Sequence, residues 1–177
     1  MAPSKYDSKQ YWDDRFLNED SFEWLASYSK LQPILDTAIS KTARVLNLGC
    51  GNSYLPFDMY NSGYQSLDNM DFSATVIEKM VAKTEELYGA ESPAIAAIRW
   101  TVQDALKMDN IEEGSWDAVI DKSTSDCIAC MDTNGELLET LSRQLEFYAL
   151  HGYLIVEKFL TDEEIDMYRD ESELLAT

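Results

Sequence analysis

The chain has 177 residues, enough for one domain that buries about two thirds of the surface its unfolded form would expose. Its 14 Lys+Arg against 33 Asp+Glu give a formal charge of −19, which argues against a sequence-independent grip on nucleic acid phosphates or on an anionic membrane. A basic partner suits that charge better, although an acidic surface also serves solubility alone.

The N-terminal stretch "MAPSKYDSKQYWDDRF" is polar and lacks the apolar core of a signal peptide, and the chain contains no membrane-length apolar run. A soluble, cytoplasmic protein is therefore expected. The first 40 residues are rich in aromatic side chains, among them Trp12, Phe16, Phe22 and Trp24, and are expected to form helices across one end of a sheet. "ARVLNL" reads as a first strand; Asn52 or Ser53 can cap the helix after it, and Pro56 lies early enough in that helix to be tolerated. "YQSLDNM" reads as a second strand. Ser73 then caps a helix carrying Val76, Ile77, Met80, Thr84, Leu87 and Tyr88 at helical spacing, with Gly89 ending it.

"AIAAIRWTVQD" reads as a third strand and "SWDAVIDK" as a fourth. A helix follows over "GELLETLSRQLEFYAL", with Leu137, Leu138, Leu141 and Leu145 on one stripe; "GYLIVEKFL" is a fifth strand. Residues 161–177 carry seven acids against one arginine and read as a solvated acidic helix or tail. This alternation predicts an α/β fold, a doubly wound, mostly parallel sheet in a single domain: a cap over 1–40, a core over 41–160 and a C-terminal segment over 161–177.

Cys50, Cys127 and Cys130 are odd in number and do not resemble a disulfide framework. With one CxxC and the single histidine His151, a closed four-ligand zinc site has too few ligands, so no metal is expected. Cys127 and Cys130 read as small buried thiols on a helix face, and His151 as a residue at a helix C-terminus.

In an open α/β sheet the ligand lies beyond the carboxyl ends of the strands, where the strand order reverses. Gly49 and Gly51 let backbone approach a ligand and point amides at it, and Asp71, 22 positions after Gly49, can accept both hydroxyls of a ribose. Asp104 and Asp121 end the third and fourth strands. A dinucleotide fingerprint would place Gly or Ala at position 54, where this chain has Tyr54, whose ring would crowd a pyrophosphate. A phosphate-free adenosine ligand fits best.

At these residues the sequence resembles the class I, seven-strand S-adenosylmethionine-dependent methyltransferases, with "VLNLGCGNS" as first motif, Asp71 as second-strand acid, "VQDAL" beside the adenine and "VIDKSTSD" at the fourth strand. More narrowly, "YWDDRF", "FEWLASY", "LGCGNS", "DFS..VI" and "DKST.D" resemble the methyltransferase-like 13 group, which includes lysine methyltransferases acting on translation elongation factor 1-alpha. The resemblance implies a Rossmann-like methyltransferase fold with S-adenosylmethionine as cofactor and a protein lysine as acceptor. The alternatives are a small-molecule acceptor, or a cofactor-binding scaffold with little activity.

By position, the resemblance sets Gly49 and its turn along the methionine part of the cofactor, Asp71 on the ribose and Phe72 on the adenine. Asp104 would accept from the adenine amino group, with Ala105 beside it. Trp12, Phe16 and Trp24 would close over the cofactor, and Lys122 would lie at its methionine end. Asp121 is the nearest candidate to orient the acceptor amine or the cofactor's amino group, Asp126 a weaker one. The chain departs from the superfamily at Asn47, where an acid or another polar residue is usual; an amide still hydrogen-bonds there. Only 19 residues follow Lys158 (177 − 158), too few for the family's last helix and also its C-terminal antiparallel strand pair, so that pair is expected to be lacking. A fifth strand left as an open edge would invite association with another chain.

Overall fold

Apolar strands flanked by helix signals assemble into one parallel sheet in this computed structural model, which describes residues 8–108, 111–131, 134–148 and 154–155. Among them, β1 (Arg44–Leu48), β2 (Ser66–Asp71), β3 (Ile98–Val102), β4 (Ala118–Asp121) and β5 (Leu154–Ile155) lie in the order β3-β2-β1-β4-β5. Every described pairing is parallel, with Asn47 opposite Asn69 and Leu48 opposite Asp121. The winding reverses between β1 and β4, which opens a crevice at their carboxyl ends.

Strand residues alternate between the two faces, as the period of two requires. Val45, Leu67, Ile98 and Ile120 belong to one apolar cluster, Leu46, Leu48, Met70 and Val119 to the other. The first cluster is covered by α1 (Lys9–Asn18), α2 (Tyr28–Ala38), α3 (Leu55–Asn61) and α4 (Ala74–Tyr88); the second takes Ile128 from α6 (Thr124–Met131) and Leu141 and Leu145 from α7 (Glu136–Tyr148).

Local signals account for most helix starts. The Ser8 hydroxyl accepts from the Tyr11 amide at α1, and the Ser73 hydroxyl from the Val76 amide at α4, each relieving an otherwise unpaired N–H. Ser53, not Asn52, serves α3: its hydroxyl accepts from the Leu55 amide, and Pro56 falls in the first turn. Gly89 ends α4 at φ +85°.

The sequence expectation needs three corrections. The third strand is shorter, because Pro93–Ala97 forms a short helix, α5, capped by the Ser92 hydroxyl with Pro93 at its start. A Ser-Pro pair of this kind is a helix-start signal that outweighs the strand reading of the residues after it. Leu87 is exposed although it shares the helical spacing of the buried α4 residues. Of the two thiols expected to be buried on α6, Cys127 is half-buried and Cys130 exposed. His151, the C-terminal segment and the expected absence of a C-terminal strand pair lie outside the described residues.

Candidate functional site

A cavity of about 270 Å³ lies in the crevice, floored by the turns after β1 and β4. All ten sequence-predicted binding residues line it. Gly49 and Gly51 come from the β1 turn, Asp71 and Phe72 from the end of β2, and Asp104 and Ala105 from the segment after β3. Lys122 arrives from β4, and Trp12, Phe16 and Trp24 from the N-terminal arm.

The β1 turn depends on its glycines. Gly49 has φ +55°, and a Cβ there would stand 2.0 Å from the Thr124 hydroxyl at the start of α6, so only a residue without a side chain fits. Gly51, at φ +51°, would carry a Cβ 3.6 Å from the Phe16 ring. The expectation that the Gly51 amide points at a ligand is corrected by the bonding of the turn. Cys50 donates to the Met70 carbonyl, Gly51 to the Asp71 carboxylate at 3.0 Å and Ser53 to the Cys50 carbonyl. Tyr54 is corrected too: its ring packs on Phe57 with centroids 5.4 Å apart and is not part of the cavity wall.

Asp71 is 5% exposed and lies on the cavity wall. One carboxylate oxygen accepts from Gly51 and the other from the Ser73 amide at 2.9 Å, which leaves lone pairs on both. Burial pushes its pKa up to about 6, against the lowering effect of these two amides. Asp104 accepts from the Leu106 amide at 2.9 Å and pairs with Lys107. Asn47, also on the wall, donates through Nδ2 to Asn69 at 2.7 Å, while its buried Oδ1 has no partner among the described residues. That orphaned acceptor, the apolar rings and the two carboxylates fit a ligand with hydroxyl, amino and flat apolar parts.

Asp121, expected to orient an acceptor amine, serves the fold instead. Its carboxylate accepts from the Thr124 amide at 2.9 Å and from the amide and hydroxyl of Ser125, capping α6, and it is not among the residues lining the cavity. Asp121 follows Val119 onto the face covered by α6, where its carboxylate is taken up at the start of that helix, whereas Lys122 reaches the cavity wall. Asp126 is exposed on α6. Among the described residues no three His, Cys, Asp or Glu side chains group as metal ligands.

Phe22 and Glu23 are among the residues that escaped the sequence reading. Phe22 joins the cavity wall, packing edge-on against Trp24 with centroids 5.1 Å apart. Its neighbourhood in the aromatic-rich arm was the available signal. Glu23 does not line the cavity but accepts from the Ser53 hydroxyl, the Tyr54 amide at 2.6 Å and Lys122 Nζ at 2.8 Å. Lys122 also donates to the Trp24 carbonyl at 3.1 Å, and burial lowers its pKa although the Glu23 pairing opposes that. The Arg15 guanidinium lies over the Phe22 and Trp24 rings at 4.9 and 5.0 Å, bracing the arm by cation–π attraction.

No family model matches the chain. It is 27% identical over 127 residues to EEF1A lysine methyltransferase 4 of Mus musculus, covering 70% of this chain and 46% of that protein. It is 32% identical over 146 residues to the eEF1A lysine and N-terminal methyltransferase of Danio rerio, covering 80% of this chain and 20% of that protein. The chain thus spans about half, or less, of the length of these curated relatives. Its fold is that of a Methanococcus maripaludis protein described as a candidate S-adenosyl-L-methionine-dependent methyltransferase, with TM-score 0.65 at 14% identity over 99% of this chain and 77% of that one. Motifs, relatives and fold agree, and the chain belongs to the class I S-adenosylmethionine-dependent methyltransferases, in the group of the eEF1A lysine methyltransferases.

Proposed function

We propose that the chain binds S-adenosylmethionine and transfers its methyl group to a protein lysine, with an eEF1A-type elongation factor as the expected acceptor. The observation that carries this reading is Asp71, a buried carboxylate with free lone pairs on the wall of a cavity at the strand-order reversal, beside Asp104 and under a roof of aromatic rings. Asp71 would hold the ribose hydroxyls, Phe72 the adenine face, and Asp104 with Ala105 the adenine edge. The β1 turn and Lys122 would take the methionine end.

The cofactor supplies an electrophilic methyl group on a sulfonium. The protein contributes position and dryness: Trp12, Phe16, Phe22 and Trp24 exclude water from the cavity, and their ring faces favour a cation. A lysine acceptor must arrive neutral although its ordinary pKa is about 10.4. Burial on this wall already pushes Lys122 down, and the same desolvation would act on an incoming amine.

The formal charge of −19 supports a basic protein surface as the docking partner, with attraction that weakens in salt. No helix among the described residues is long and apolar enough to cross a membrane. A cytoplasmic location goes with this reading and is checked by cell fractionation. Self-association through an open sheet edge goes with it as well and is checked by sedimentation.

The deciding experiment incubates the protein with methyl-labelled S-adenosylmethionine and either purified eEF1A or a cell lysate. Label on a lysine of eEF1A is the expected outcome. Label confined to small molecules would move the acceptor class, and binding of S-adenosylhomocysteine without any transfer would reduce the chain to a scaffold.

A further inference from the structure

We infer that Glu23 is the positioning residue of this site: its carboxylate seats the aromatic arm on the β1 turn and sets the Lys122 ammonium against the cavity. The inference takes its ligand from the cofactor reading above. Glu23 stands between Phe22 and Trp24, two rings of the cavity wall, and does not line the cavity itself but binds residues 30, 31 and 99 positions further along the chain.

Those partners are the structural parts of the site. The Ser53 hydroxyl and Tyr54 amide stand where the glycine turn enters α3, so Glu23 fixes the end of that turn. Lys122 follows β4, and its side chain is 10% exposed. With one N–H on Glu23 and one on the Trp24 carbonyl, the ammonium has a third donor left for the cavity. One carboxylate therefore joins the roof, the floor and a charged group of the wall.

The arm's other fastenings differ in kind. The Ser73 hydroxyl donates to Asp13, Lys79 to the carbonyls of Phe16 and Glu19, and Asn52 to Glu19. They hold α1 and the chain just after it against α4 and the turn, but none of them pairs with a cation of the cavity wall. Without Glu23, Lys122 would remain buried with a carbonyl as its partner, and an unpaired buried charge is costly enough to reorganise its surroundings. Arm closure and cofactor affinity are thereby linked through a side chain outside the cavity.

The test uses the full chain as wild type, Glu23→Gln, Lys122→Met and the double variant. Calorimetry gives the affinity for S-adenosylhomocysteine, and amide hydrogen exchange without ligand reports on the arm. Glu23→Gln is expected to weaken binding by roughly tenfold to a hundredfold, the scale of a hydrogen bond to a charged group. Adding Lys122→Met to it should cost no more than about threefold further, because the two residues act as one unit. Exchange should rise over residues 8–26 and 49–55 while β2 and α4 keep wild-type protection.

Should Glu23→Gln fail to fold, Glu23→Asp keeps the charge but shortens the reach, and the same local rise in exchange is expected with an intermediate loss of affinity. Wild-type affinity in these variants, strictly additive losses, or a rise in exchange spread over the whole chain would each overturn the inference. Failure of the cofactor reading looks different: the wild type would not bind S-adenosylhomocysteine, while the exchange measurement would still decide the role of Glu23.

Discussion

Asp71 and Asp121 end β2 and β4, each 5% exposed and each accepting amides at the start of a following helix, yet they face different surroundings. Asp71 alternates with Met70, so it shares a sheet face with Leu67 and Asn69 and meets the cavity. Asp121 shares a face with Val119 and is bound up with Thr124 and Ser125 of α6. The strand-end rule says where ligand chemistry gathers. Which acids take part depends on where their oxygens are spent, and those of Asp121 are spent on Thr124 and Ser125.

The comparison breaks most visibly in binding. Asp71→Ala should weaken S-adenosylhomocysteine by about a hundredfold or more, the loss of charge-assisted bonds to a ribose, as read by calorimetry. Unchanged affinity would remove Asp71 from the site. Asp121→Ala should act on the fold instead, lowering unfolding free energy by about 2 kcal/mol through the lost helix cap while affinity stays within a few-fold. A large loss of affinity at unchanged stability would return Asp121 to the cavity.

Acidity sharpens the same contrast. A ribose hydroxyl needs the ionised Asp71, whose pKa lies near 6, so affinity should fall by roughly tenfold between pH 7 and pH 5. The unliganded fold should respond in the opposite sense. Because its folded pKa is raised, Asp71 contributes stability that is full below its ordinary pKa near 3.8 and lost as pH rises through about 6. The stability of Asp71→Asn, subtracted from that of the wild type across this window in denaturant titrations, isolates that slope; a flat difference would refute the raised pKa. Burial also raises the Asp121 pKa, but with its carboxylate committed to α6 it should leave the pH profile of binding unaltered.

The β-α order, the glycine turn, the Ser73 cap and the acid at the end of β2 were legible because each is written in a few neighbouring residues. What escaped depends on distance or on packing. Glu23 reads as one more acid in an acidic chain until folding brings Ser53 and Lys122 to it. The ring of Tyr54 could have lain in the cavity or against Phe57, and only packing chose the latter. The face taken by Asp121 was readable by counting back along "AVID", where Ile120 takes the core face shared with Val45, but the bonds to Thr124 and Ser125 that occupy its carboxylate were not.

The smallest expected effect lies where the two turns meet. Thr124 opens the helix that Asp121 caps, and its hydroxyl donates to the Leu48 carbonyl at 2.9 Å, against the turn that Asp71 holds from the other side. Thr124→Ala should cost about 1 kcal/mol of stability, the usual worth of one such bond. It should leave S-adenosylhomocysteine affinity within about twofold, because one hydrogen bond is lost while both carboxylates keep their amide partners. A loss of affinity as large as that of Asp71→Ala would mean that the β1 turn takes its shape from α6 rather than from β2, and the division of labour between the two acids would then be reversed.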